Sequence, residues 1–182
     1  MKLIAFDGDH TLWDPVSGLN LSDRTPTDDV GYPDFRYESL PDDPLTVRRD
    51  DGALFRLRPE AREVMEELRR RGVLVGVVSY NHDGNVRRVL EAFGLLGLVD
   101  YVVAEWHTGK DRMLGKLLEA ARRDGHGLSE SDMMLVDDDP EQIYRLQCER
   151  MGVGFRCFGV DVKDLREVLQ VVEDAPTHEA AK

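Results

Sequence analysis

The chain is poor in cysteine, short of positive charge and without long apolar runs. Its two cysteines, Cys148 and Cys157, form no CxxC, which argues against a disulfide framework and fits a reducing compartment. No stretch of ~18 apolar residues occurs, so no membrane span is expected. The opening MKLIAFDGDH enters a strand-like run without an apolar signal stretch, and a cytoplasmic location is the expectation. Lys and Arg number 24 against 36 Asp and Glu, for a formal net charge of −12. A field of that sign disfavours nucleic acid and anionic membranes as partners, and an anionic substrate would need locally placed positive charge. Internal repeats and low-complexity tracts are also missing. What remains is 182 residues, 41% hydrophobic, enough for one domain with a core.

Short apolar runs alternate with helix-period stretches. Residues 2–6, 73–78, 100–103, 133–136 and 153–158 read as buried strands. Between them, Ala61, Val64, Met65 and Leu68 repeat at i, i+3, i+4, i+7 over 59–71, with Pro59 suited to the first helical position and Gly72 to the stop. Leu114, Leu117, Leu118 and Ala121 repeat that spacing over 111–123. Stretches 84–93, 140–150 and 161–173 also read as helical. The alternation predicts an α/β fold, a doubly wound parallel sheet covered on both faces.

Residues 14–57 break the pattern, with five of the eight prolines and no helical period. Inside them LTVRR and ALFRL flank Asp51-Gly52, a hairpin signature. An insert of this length after a first strand reads as a small cap or flap, its aromatics Tyr32, Phe35 and Tyr37 packing it onto the domain. The expected organisation is one domain over 1–173, the insert at 14–57, and a frayed tail at 174–182.

FDGDHT follows the first strand, so Asp7 and Asp9 stand at the carboxyl end of a buried strand, where ligands bind in open α/β sheets. Two carboxylates this close both stay ionised only beside a cation, unless one is protonated. Either condition serves phosphoryl transfer, with Asp7 as nucleophile and Asp9 as general acid and base. VDDDP follows another strand, and Asp137 or Asp138 could complete a Mg²⁺ site of oxygen ligands. Asp139, before Pro140 and three residues before Gln142, reads as a helix N-cap with a capping box. Ser79-Tyr80-Asn81 ends a third strand with a hydroxyl and amides fit for phosphate oxygens. Lys110 would supply the missing positive charge; Lys116, inside the helix, reads as a solvated position. His10, His82 and His107 show no metal-ligand spacing and read as loop histidines.

FDGDHT, Ser79, Lys110 and VDDD, in that order, resemble the haloacid dehalogenase superfamily. DGDHTLWD, the TVR hairpin, RPEAREVMEELRRRGV and the TGK before a helix are most similar to its magnesium-dependent phosphatase-1 family. The resemblance covers roughly residues 2–160, as judged by motif order. It implies a Rossmann-like sheet of order 3-2-1-4-5 and phosphomonoester hydrolysis through an aspartyl-phosphate. Asp7 would be nucleophile and Mg²⁺ ligand, and Asp9 acid/base and ligand through its carbonyl. Asp138 would be the remaining ligand, while Ser79, Lys110 and backbone groups around Gly8 and Tyr80 hold the phosphoryl oxygens. Tyr80 stands where that family tends to carry arginine, and VDDDPEQ departs from its usual run. The substrate expected is a phosphorylated small molecule or phosphoprotein. Phosphotransfer within the superfamily, or an inactive phospho-ligand module, are the competing readings. Oligomeric state is not legible.

Overall fold

A computed structural model describes residues 1–16, 35–106, 109–139 and 142–173. The expectations for Tyr32, His107, Pro140 and the 174–182 tail lie outside them. Along the chain the elements are β1 (Leu3–Phe6), β2 (Trp13–Pro15), β3 (Tyr37–Leu40), β4 (Asp43–Arg49), β5 (Leu54–Leu57), α1 (Ala61–Arg70), β6 (Leu74–Ser79), α2 (Asp83–Ala92), β7 (Tyr101–Ala104), α3 (Lys110–Arg123), β8 (Met133–Asp137), α4 (Ile143–Met151), β9 (Gly154–Cys157) and α5 (Glu167–Glu173).

Four apolar residues in a row make β1 fit for burial on both faces, and it forms the middle of a five-stranded parallel sheet ordered β7-β6-β1-β8-β9. Numbered among themselves, these strands run 3-2-1-4-5, the order the resemblance implied. Side chains alternate across the pleat. Ile4 and Phe6 join a core that takes in α1, α2 and α5, whereas Leu3 and Ala5 join a second core under α3 and α4. The periodic residues of α1 (Ala61, Val64, Met65, Leu68) and of α3 (Leu114, Leu117, Leu118, Ala121) are all buried. Each buried leucine contributes roughly 1.5–3 kcal/mol. Both cysteines are free and buried. Among the described residues no helix is long and apolar enough to cross a membrane.

Three helices start later than the spacing predicts. Pro59 lies just outside α1, whose N-cap is Glu60. Helix α4 begins at Ile143, because Gln142 takes a left-handed conformation (φ 61°) that interrupts helical hydrogen bonding. Gln142 is therefore the N-cap rather than the third residue of a capping box. Asp139 still caps, by reaching forward to accept the Tyr144 N–H at 2.6 Å. Helix α5 covers only Glu167–Glu173, because Asp164 diverts the Arg166 N–H to its side chain (2.8 Å).

The described part of the insert, 14–16 and 35–57, holds more regular structure than its sequence suggests. The expected hairpin pairs Val47 with Phe55 and turns at Gly52, whose φ of 91° favours glycine. β2 and β3 extend it to an antiparallel sheet ordered β2-β5-β4-β3. Val47, Phe55 and Leu57 share the core of Ile4 and Phe6. Phe35 and Tyr37 pack as expected: Phe35 is buried beneath the Arg49 guanidinium, 4.2 Å from its ring centroid, and Tyr37 lies against Phe55 at 6.3 Å.

Candidate active site

The loop after β1 is tightly wound. The Asp7 N–H donates to Val136 O (2.9 Å), holding Asp7 at the carboxyl end of the sheet. Leu12 and Trp13 N–H both donate to Gly8 O (2.9 and 3.2 Å), and His10 N–H donates to Trp13 O (2.7 Å). His10 carries the turn with φ 63°, a left-handed conformation that costs a non-glycine residue about 1–2 kcal/mol. The Trp13 ring lies on Gly8 so closely that a Cβ there would stand 2.6 Å from Cζ2. The Trp13 indole N–H donates to Asp9 Oδ1 at 3.0 Å. Arg58, just past β5, braces the same loop. Its Nη2 donates to His10 O (2.8 Å) and Asp14 Oδ1 (2.9 Å), and its Nε to Thr11 O (3.3 Å).

Lys110 is the first residue of α3, and its side chain lies along the ends of three strands. Nζ donates to Val78 O of β6 at 3.0 Å, pairs with Asp7 beyond β1, and lies 3.0 Å from Asp137 Oδ2 of β8. The rings of Tyr80 and Tyr144 stand 5.4 and 5.6 Å from the ammonium. A cavity of about 170 Å³ opens here, lined by Asp7, Asp9, His10, Ser79, Tyr80, Lys110, Asp137, Asp138 and Tyr144. The sheet brings the expected Asp7, Asp9, Ser79, Tyr80, Lys110 and Asp138 to one wall. Gly8 is not among the lining residues; its carbonyl serves the loop.

The charges do not balance. Asp7, Asp137 and Asp138 each offer a carboxylate oxygen, and these oxygens lie within 4.8 Å of one another. Three carboxylates against the Lys110 ammonium leave two negative charges. Burial pushes the Asp7 carboxyl up to about 6 despite Lys110. Burial, and then Asp7, push Asp137 up to about 6 against the same lysine. Asp138 is also raised, by burial and then by Asp137. For Lys110, burial disfavours the charge, but Asp7 and Asp137 outweigh it and hold its pKa above the ordinary value.

The family profile of haloacid dehalogenase-like hydrolases matches residues 32–153 of the 182, more than half of the chain. The chain belongs to the haloacid dehalogenase-like hydrolases. The matched stretch covers Ser79, Lys110, Asp137 and Asp138, and begins after Asp7 and Asp9. No curated protein matches the sequence. Among solved structures, a HAD-superfamily hydrolase of subfamily IA, variant 1, from Geobacter sulfurreducens is 16% identical, with 94% of this chain and 99% of that one covered at a TM-score of 0.61. An uncharacterised protein from Listeria monocytogenes serotype 4b is 17% identical over 95% and 97%, at 0.60. The N-terminal part of a Bacteroides fragilis protein, containing a phosphatase domain complexed with Mg, is 18% identical over 94% of this chain and 39% of that one, at 0.59. At these identities the likeness is one of fold.

The acidic cluster of this hydrolase suits a small, hard divalent cation. Its donors are carboxylate oxygens, which Mg²⁺ prefers, and the excess of two negative charges is what such an ion neutralises. Asp137 meets protein groups at both oxygens, with Oδ1 accepting the Asp139 N–H (3.1 Å) and Oδ2 beside Lys110, while Asp7 meets Lys110 through Oδ1. Two lining residues escaped the sequence reading. His10, read as an ordinary loop histidine, lines the cavity because the left-handed turn places it there. Tyr144 faces Tyr80, with ring centroids 5.9 Å apart. The one available signal was an aromatic in the first turn of the helix after VDDDP. Lys116 is exposed and pairs with Glu105, away from the cavity.

Proposed function

We propose that the chain is a Mg²⁺-dependent phosphomonoester hydrolase working through an aspartyl-phosphate on Asp7, with Asp9 as general acid and base. The observation that carries this reading is the unbalanced charge: three clustered carboxylates and one buried lysine around a cavity sized for a phosphoryl group. Asp7, Asp138 and the Asp9 carbonyl would hold the ion, with Asp137 turned to Lys110. When bound, Mg²⁺ neutralises the carboxylates and the negative phosphoryl oxygens. Its use also agrees with the Mg complex of the Bacteroides fragilis domain.

In the first step a carboxylate oxygen of Asp7 bonds to phosphorus as the ester P–O bond breaks. The leaving oxygen takes the electron pair of that bond and a proton from the Asp9 carboxyl. The alcohol departs, and phosphate stays esterified to Asp7. In the second step water attacks phosphorus and gives a proton to the Asp9 carboxylate. The Asp7–phosphorus bond breaks, freeing inorganic phosphate and regenerating both side chains. Lys110 and Ser79 hold phosphoryl oxygens, and Lys110 keeps Asp7 ionised and aimed.

The substrate is a phosphorylated small molecule or phosphoprotein. DGDHTLWD, together with the hairpin insert, supports a place near magnesium-dependent phosphatase-1, with 14–57 as a small cap on a domain spanning 1–173. A cytoplasmic setting fits the two free cysteines. The test is a panel of phosphomonoesters assayed with and without Mg²⁺, with Asp7→Asn beside the wild type. Turnover should require Mg²⁺ and fall by on the order of 10³-fold or more in a folded Asp7→Asn protein. Substantial turnover by that variant rejects the nucleophile.

A further inference from the structure

We propose that Trp13 is a positioning residue that holds Asp9 in place as general acid. The inference rests on the assignment of Asp9 above and goes beyond it, since nothing in the chemistry of the two steps names Trp13. Its ring is fully buried. One face lies on the Gly8 backbone, and the Phe93 ring stacks nearby, with centroids 6.0 Å apart and planes 29° from parallel. A ring so enclosed cannot swing. Phenylalanine would serve an apolar core as well, and a buried indole N–H is tolerated only with an acceptor. That acceptor is Asp9 Oδ1, at 3.0 Å.

The two residues are also tied through the backbone. Asp9 and Trp13 form an isolated bridge, and Gly8 O accepts the Trp13 N–H. A short acidic side chain at the mouth of a cavity has several staggered rotamers open to it. The bond from an immobile ring favours the one that brings Oδ1 to the indole N–H. Displacement of a proton donor by about 1 Å is enough to cost roughly 10²-fold in rate.

The signature is a dependence on the leaving group. As the Asp7–phosphorus bond forms and the ester P–O bond breaks, an alkoxide needs the proton of Asp9, whereas a nitrophenolate departs well without it. A misplaced Asp9 therefore impairs alkyl esters more than activated aryl esters.

The experiment compares kcat/KM, with Mg²⁺, for glycerol 2-phosphate and 4-nitrophenyl phosphate. Two proteins are compared with wild type: Trp13→Phe, and the chain carrying β-(3-benzothienyl)alanine at position 13 in a Trp106→Phe background. The second replaces the indole N–H by sulfur and keeps the volume of the ring, so its result stands whether or not Trp13→Phe folds well. Both should lose about tenfold more on glycerol 2-phosphate than on 4-nitrophenyl phosphate. Equal losses on the two esters, or none, in the benzothienyl protein overturn the proposal. Asp9→Asn is assayed alongside. A graded loss there without one in the Trp13 proteins refutes the positioning role alone; no graded loss in Asp9→Asn refutes the general acid itself.

Discussion

Arg49 and Lys110 are buried to the same depth, each 1% exposed, yet their surroundings differ in kind. Arg49 lies in the insert. Its Nε and Nη2 donate to the two oxygens of Asp51 (2.8 and 2.9 Å), and its guanidinium stands over Phe35 and Phe55. One cation meets one anion, two residues away, at the turn that the hairpin already required. Lys110 lies at the end of the parallel sheet with Asp7 and Asp137, and with Asp138 close by. Buried charge by itself is a structural device. Charge that the protein leaves in excess is what points to a ligand.

The contrast can be broken from either side. Lys110→Met removes the ammonium that aims Asp7, and kcat/KM should fall by about 10²–10³-fold. A smaller loss than that of Arg49→Met would place the two cations in the same class. Arg49→Met takes a buried guanidinium away from the Asp51 carboxylate and should cost about 3 kcal/mol of stability in denaturant titrations. Its kcat/KM at low temperature should stay near that of the wild type; a large fall would make the insert part of the machinery.

The excess charge also makes a prediction for stability. Asp7 and Asp137 titrate from an ordinary value of 3.8 up to about 6 in the folded protein, so the folded state holds these protons to a higher pH than the unfolded chain. Their contribution to stability is present below their ordinary value and is lost as pH rises through about 6. Without divalent cation the site should thus weaken the fold near neutral pH, and Mg²⁺ should restore it there. Thermal melts should show a rise in Tm with Mg²⁺ on the order of 5 °C at about pH 7.5, and little change at about pH 5, where protons compete for the same oxygens. A pH-independent shift would place the ion elsewhere. At the small end, Lys116→Ala breaks an exposed pair with Glu105. It should alter stability by less than ~0.5 kcal/mol and leave kcat/KM unchanged; a rate effect would bring Lys116 into the site.

Much of this arrangement was legible because it is local. Asp7, Asp9, Ser79 and Asp138 each follow an apolar run that ends at the same edge of a parallel sheet, so finding the strands was enough to group these candidates around one cavity. The misreadings have a common cause. β2 and β3 are three and four residues long, too short to show a period, and exist because partners elsewhere in the chain pair with them: Trp13 meets Leu57, and Tyr37 meets Arg49. The late starts of α4 and α5 were decided by single acidic side chains and by the backbone at Gln142, which compete with helical hydrogen bonds in ways that apolar spacing does not register. Tyr144 and His10 reach the cavity only through the angle of a helix and the hand of a turn.

The amino-acid order alone determined the parallel sheet, its covering helices, the hairpin at Asp51-Gly52 and which acids would stand at strand ends, since each follows from periodicity and turn chemistry within a few residues. Tertiary structure alone decided how the charges are shared: that Lys110 spans from Asp7 to Asp137, and that the buried indole of Trp13 holds Asp9. The lysine bridge joins strands and a helix far apart in the chain, at distances fixed only when the two cores close around β1; Trp13 and Asp9 are four residues apart, but the ring is held still by packing against Phe93, which only the closed core supplies.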